Sequence, residues 1–162
     1  MKTHSERRQT VADLNAEFLF EVSVDLEEPQ QMGATPHGDR RIYYVKGGTF
    51  EGPKLKGEVL PGGGDWLLLR PDGAGELDVR GTMRTDDGHL IYTYYRGIIH
   101  LPPEAFQRAL QGETLDPSEY YFRTAPVYET ASEKYGWLNR IVAVAVGRFA
   151  PNWVGYKVYA IL

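Results

Sequence analysis

Between Glu17 and Glu27 the chain reads EFLFEVSVDLE, with Phe18, Phe20, Val22, Val24 and Leu26 at every second position. Side chains alternate across a strand with a period of two, so this stretch predicts a strand with one buried face. Further strands are expected at RRIYYVKGG (40–48), TFEGPKLKGEVL (49–60), 65–70, 76–85, 89–98, 118–130, 139–150 and 153–162. Gly52-Pro53 should bend or bulge the second of these. EEPQQMGATPHGD (27–39) reads as a loop from its Pro and Gly content, and ASEKYGWL (131–138) as a loop or a single helical turn.

A single helix is expected in LPPEAFQRALQGE (101–113), with Pro at its entry, Glu104 in its first turn and Gly112 as terminator. About nine short strands and one short helix predict an all-β chain. The expected architecture is an antiparallel up-and-down β-barrel, lipocalin-like, of about 8–10 strands, because closure removes exposed edges. Residues 1–15 are polar and non-periodic and read as a flexible N-terminal arm, leaving 16–162 as one barrel domain.

Composition removes several function classes. Net charge is −4, and ERR (6–8) and DRR (39–41) are each diluted by an acid, so no nucleic-acid partner is expected. No run is apolar and long enough for a signal peptide or a membrane span, so no membrane partner is expected. The absence of cysteine suits a reducing cytoplasm and excludes disulfides and Cys-based metal sites. His37, His89 and His100 have no metal-ligand spacing. PGGGDW (61–66) lacks the Lys-Ser/Thr of a phosphate loop, and no Ser sits in a Gly-x-Ser-x-Gly elbow.

Two turns set a register. RPDGA (70–74) and TDDGH (85–89) each fit a type I turn followed by a left-handed Gly, pairing Arg70 with Ala74 and Thr85 with His89. Counting along the ladders gathers Trp66, Asp78, Arg80, Tyr92, Tyr94 and Arg96 on one mixed face. Leu67, Leu69, Leu77, Val79, Gly81, Met83, Ile91 and Tyr95 share the other. A two-residue Asp87-Gly88 turn would instead flip the third strand. Pattern alone favours the aliphatic face filling the barrel. The alternative turns the mixed face inward as a pocket wall and leaves the aliphatic face to the helix or a second subunit.

An inward mixed face would suit chemistry. Asp78, desolvated, could move protons; Arg80 offers a planar fork to a carboxylate or enolate. Tyr92 or Tyr94 could donate to a developing oxyanion. In YYFR (120–123), Tyr121 and Arg123 share a face, and Arg123 is a candidate second anion contact. In YGWLNR (135–140), Trp137 and Asn139 close a loop; packing is the simpler role for Trp137.

GGTFEGPKLKGEVLPGGGDW, ELDVRGTMRTDDGHLIY, DPSEYYFRTAPVYET and YGWLNRIVAVAVGR resemble the family known as domain of unknown function 3237, also uncharacterised protein family 0311. The resemblance runs over nearly the whole chain from about residue 16. It implies a compact β-barrel, mostly of bacteria and fungi, without metal or organic cofactor. The family pattern carries Gly62, Gly63, Asp65, Trp66, Asp78, Arg80, Tyr121, Arg123, Trp137, Leu138 and Asn139, all matched here. Gly81 departs from it, where the family often holds Tyr. Because the pattern falls mostly on the mixed face, it moves the expectation to that face turned inward.

Two functions are then expected to compete. One is a cofactor-independent lyase, isomerase or cyclase on a small aromatic or carbonyl-bearing metabolite, with Asp78 as acid/base and Arg80 in the catalytic pair. Trp66, Tyr92, Tyr94, Arg96, Tyr121, Arg123, Trp137 and Asn139 would bind the substrate. The other is a carrier or sensor that binds without chemistry; a homodimeric interaction module is the third option. The fold alone separates none of them.

Overall fold

Ten strands and one helix follow one another in the computed structural model, which describes residues 13–162; the expected N-terminal arm lies outside the described residues up to residue 12. The strands are β1 Ala16–Leu26, β2 Gln30–Thr35, β3 Gly38–Glu51, β4 Lys56–Val59, β5 Gly64–Leu69, β6 Ala74–Thr85, β7 Leu90–His100, β8 Tyr121–Glu129, β9 Val142–Ala150 and β10 Trp153–Ile161. Helix α1, Pro103–Leu110, joins β7 to β8. All pairings are antiparallel, and the sheet closes because β1 bonds to β10 on one side and β3 on the other. β1 and β2 share one edge of β3, while β4 and β5 share its other edge and bridge to β6. Eight staves therefore make a closed antiparallel barrel, the architecture expected.

The turn chemistry placed the hairpins correctly. Arg70 N–H donates to Ala74 C=O at 2.8 Å and Thr85 N–H to His89 C=O at 2.9 Å. Gly73 and Gly88 have φ of 87° and 90°, a region that costs other residues steric strain. The ladder then pairs Asp78 with Arg96, Arg80 with Tyr94 and Met83 with Ile91, as three-residue loops require.

Three local expectations are corrected. Residues 30–35, expected as loop, form β2 as a hairpin partner of β3. The two strands expected at 40–60 are instead one long strand to Glu51 and a short one from Lys56, with Gly52-Pro53 in the turn between. A bulge at Leu19 breaks the alternation in β1, because Phe18 pairs with Tyr159 and Phe20 with Val158. Leu19 and Phe20 are both buried, and Phe18 turns outward against Tyr159 at a centroid distance of 5.8 Å.

The two ends of the barrel differ. At the end holding the first residues of β1 and the last of β3, Leu19, Phe20, Phe50, Ile91 and Leu138 are almost fully buried and close the interior. At the other end α1 lies over the opening with Ala105 buried and Phe106 and Ala109 half-buried. No helix among the described residues is long and apolar enough to cross a membrane.

Candidate active site

The closed sheet settles which face is inside. Leu77, Val79, Met83 and Ile91 are buried, whereas Arg80, Tyr92 and Arg96 are exposed. The mixed face is therefore the outer surface, and the expectation that it turns inward is overturned. The reason is ordinary: eight staves enclose one apolar core, and the aliphatic row has the larger transfer free energy. It follows that the aliphatic face is not an outer surface for a second subunit to cover.

On the outside, Arg80 Nη1 donates to Asp78 Oδ1 at 3.2 Å and its guanidinium lies 4.9 Å from the Tyr94 ring. Tyr92 and Arg96 flank this pair on β7. Trp66 packs edge-to-face on Tyr44 at 6.2 Å. Arg123 lies 5.2 Å from the ring of exposed Tyr121 and donates to the Phe122 carbonyl at 2.8 Å. Trp137 packs against the core beneath Lys54. Asn139 clamps one residue, accepting from Thr130 N–H at 2.8 Å and donating to its C=O at 2.9 Å. Of these residues only Arg80 contributes to the wall of the interior cavity, and its charged end points away from it.

That cavity, about 400 Å³, occupies the barrel between the closed end and α1. Ligand pockets usually have this size, and an apolar wall with a few polar groups. Across the sheet one inward row runs Tyr43, Asp65, Val79, Tyr95 and Pro126, on β3, β5, β6, β7 and β8. All five line the cavity. Asp65 is thus a carboxylate set midway along the wall.

The backbone holds it there. The β5–β6 ladder is interrupted between Asp65/Val79 and Leu68/Glu76. Within this gap Asp78 N–H donates to Asp65 Oδ1 at 3.0 Å, and the Trp66 carbonyl accepts from Arg40 Nη1 at 2.8 Å. The Asp65 side chain replaces a rung of the sheet. Burial nevertheless dominates its titration and pushes it from 3.8 up to about 7; the Asp78 N–H and Arg40 oppose the rise, and the Asp78 charge adds to it.

Two phenols share this interior. Tyr95 and Tyr156 meet edge-to-face at 5.5 Å, and because β7 and β10 are not neighbours this contact crosses the barrel. Burial pushes both phenols up, and the Asp65 charge adds to the rise in each. Both stay protonated at neutral pH and available as donors. Tyr128, also raised by burial, sits deeper against Phe20. Among the described residues no three His, Asp or Glu side chains gather as metal ligands.

Residues 14–161 match the model of a protein family described as of unknown function, DUF3237. The chain belongs to this family. A UPF0311 protein of Clostridium acetobutylicum is 36% identical over 152 residues, covering 93% of this chain and 96% of that one. The crystal structure of a β-barrel-like protein from Acinetobacter baumannii superposes with a TM-score of 0.83 at 37% identity, covering 96% of this chain and all of that one. An enzyme from Penicillium herquei shares the fold with a TM-score of 0.72 at 21% identity, over 95% and 98% of the two chains. At that identity the likeness concerns the fold.

Asp65, Tyr43, Tyr95 and Tyr156 were not singled out as site residues from the sequence, although Asp65 stood in the family pattern. The signal was within reach: Asp65 has the parity of Leu67 and Leu69, and Tyr95 that of Ile91. Once the aliphatic parity is taken as inward, both polar residues come in with it.

Proposed function

We propose that the barrel takes up a small carbonyl compound with an apolar body and moves a proton on it, with Asp65 as acid and base. The observation that carries this reading is a half-buried carboxylate on the cavity wall that shares the interior with protonated phenols, desolvation pushing it up to about 7. A general base works best with a pKa near the working pH. The Asp65 carboxylate accepts a proton from the carbon next to the ligand's carbonyl. The C–H electron pair becomes a C=C bond and the carbonyl π pair moves to oxygen, giving an enolate. Tyr95 and Tyr156 donate hydrogen bonds to that oxygen, and neutral Asp65 returns the proton to carbon. Isomerisation, elimination and ring closure by addition all start from this step.

The test is deuterium uptake in D₂O at the α-carbon of 2-tetralone, followed by proton NMR. Wild type should accelerate exchange, and Asp65→Asn should bring it back to the uncatalysed rate while still binding the ketone. Equal exchange in wild type and Asp65→Asn would remove Asp65 from the chemistry. Binding without accelerated exchange in wild type would instead favour the carrier.

A further inference from the structure

We infer that the compound held in the barrel is an anion, its acidic group bound by Arg41. This rests on the cavity being the ligand site, as proposed above. Arg41 shares the inward parity of Tyr43 and Val45 on β3, and all three line the cavity. It lies one inward repeat from Tyr43 toward the open end, about 6.6 Å along the strand, opposite Leu67 rather than Asp65.

Its hydrogen bonding is incomplete. Nη2 donates to Asp39 Oδ2 at 3.2 Å, while the buried Nε and the buried Asp39 Oδ1 have no partner. The Arg41 side chain is 18% exposed and that of Asp39 34%, so the cation is the deeper member of the pair. A guanidinium carries five N–H donors in a fixed plane, and buried donors left unbonded are costly. Nε is enclosed by packing, whereas Nη1 makes no hydrogen bond and is not enclosed, so a carboxylate or enolate in the cavity would accept from the terminal nitrogen.

The other charges around the cavity do not oppose an anion strongly. At the open end Glu28 is exposed and its charge is screened by water, and Glu113 is paired with Arg108 at 2.7 and 3.1 Å. Asp65 is about half neutral near pH 7. The rest of the wall is mainly aliphatic and aromatic. The ligand class that fits is an aromatic or alicyclic acid with about one ring between its acidic group and the carbon facing Asp65.

Calorimetric titration of 2-naphthoic acid and 2-naphthamide, near-isosteric and differing in charge, tests this on wild type, Arg41→Gln, Arg41→Lys and Leu67→Trp. Wild type should bind the acid at least tenfold more tightly than the amide. Arg41→Gln should weaken the acid tenfold or more and leave the amide within threefold. Arg41→Lys, which keeps the charge and checks that a folded barrel survives the change, should retain part of the preference. Leu67→Trp, which fills the cavity, should lose both. Equal binding of acid and amide to wild type, with both lost in Leu67→Trp, overturns the anion inference and leaves the cavity reading standing. An acid preference that survives Arg41→Gln overturns the role of Arg41. Failure of both compounds to bind, or full binding to Leu67→Trp, overturns the cavity reading itself.

Discussion

Asp65 and Asp78 are joined by one hydrogen bond and belong to opposite surfaces of the same sheet. The backbone N–H of Asp78 donates to the Asp65 carboxylate, yet the Asp78 side chain meets solvent beside Arg80, while that of Asp65 meets the cavity. The outer carboxylate has a cation on its own strand two residues away. The inner one has a backbone amide, two phenols and apolar wall, and the Arg40 charge is the smallest influence on it. Two identical side chains thus receive different chemistry from the thickness of one sheet. Charges that pair in water are worth little, while a single carboxylate taken out of water is forced toward a working pKa.

The largest effect should come from exchanging the two. Asp65→Asn should lower catalysed exchange by roughly 10²–10⁴-fold, the usual worth of a general base. Asp78→Asn should stay within about threefold, as NMR exchange rates will show. If the order is reversed, the outer face is the reactive one and the comparison fails.

A second contrast sets two neighbours on β7 against each other. Ile91 is fully buried at the closed end and Leu90 is 55% exposed. Ile91→Ala should cost about 2–5 kcal/mol in urea unfolding, and Leu90→Ala less than about 0.5 kcal/mol. Comparable losses would mean that the closed end is not packed.

The inner carboxylate should also mark the pH dependence of stability. The unfolded chain releases the Asp65 proton near pH 4, whereas the folded chain keeps it until about 7. The folded state binds more protons through this window, so this residue's contribution to stability falls as pH rises from 4 to 7, and the cost is complete above 7. Asn keeps an acceptor for the Asp78 N–H without the charge. Asp65→Asn should therefore be more stable than wild type by roughly 2–4 kcal/mol at pH 8, and the gap should close near pH 4. Thermal melts across that range decide it; a constant gap would mean that Asp65 is not desolvated.

The barrel was legible in the sequence because strand alternation and the two Gly turns are local signals. The same turns grouped the residues they were used to sort on β6 and β7 as the structure has them, with Asp78, Arg80, Tyr92, Tyr94 and Arg96 on one face and Leu77, Val79, Met83, Ile91 and Tyr95 on the other. What stayed hidden was which face is inside, since that depends on closure between β1 and β3, strands whose pairing no turn dictates. The aromatics and paired charges of Asp78, Arg80 and Tyr94 looked like a pocket but form an exposed cation–π cluster. Arg41 was hidden differently: it stood in DRR, which reads as a diluted charge run, and only the long β3 carries it inward. The bulge at Leu19 was equally illegible, because one extra residue leaves no mark on composition.

The smallest effect is the most specific to the sheet between the two carboxylates. The Asp78 charge raises the Asp65 pKa through one strand thickness. Removing it by Asp78→Asn should lower the pH midpoint of catalysed exchange from about 7 by less than about one pH unit, without changing the plateau rate at high pH. Arg80→Ala should leave that midpoint nearly in place, because Asp65's opposing cation is Arg40, held at the Trp66 carbonyl. A midpoint that stays in place in Asp78→Asn would mean that the outer carboxylate is not felt as a like charge, and the two faces would then be electrically separate as well as chemically different.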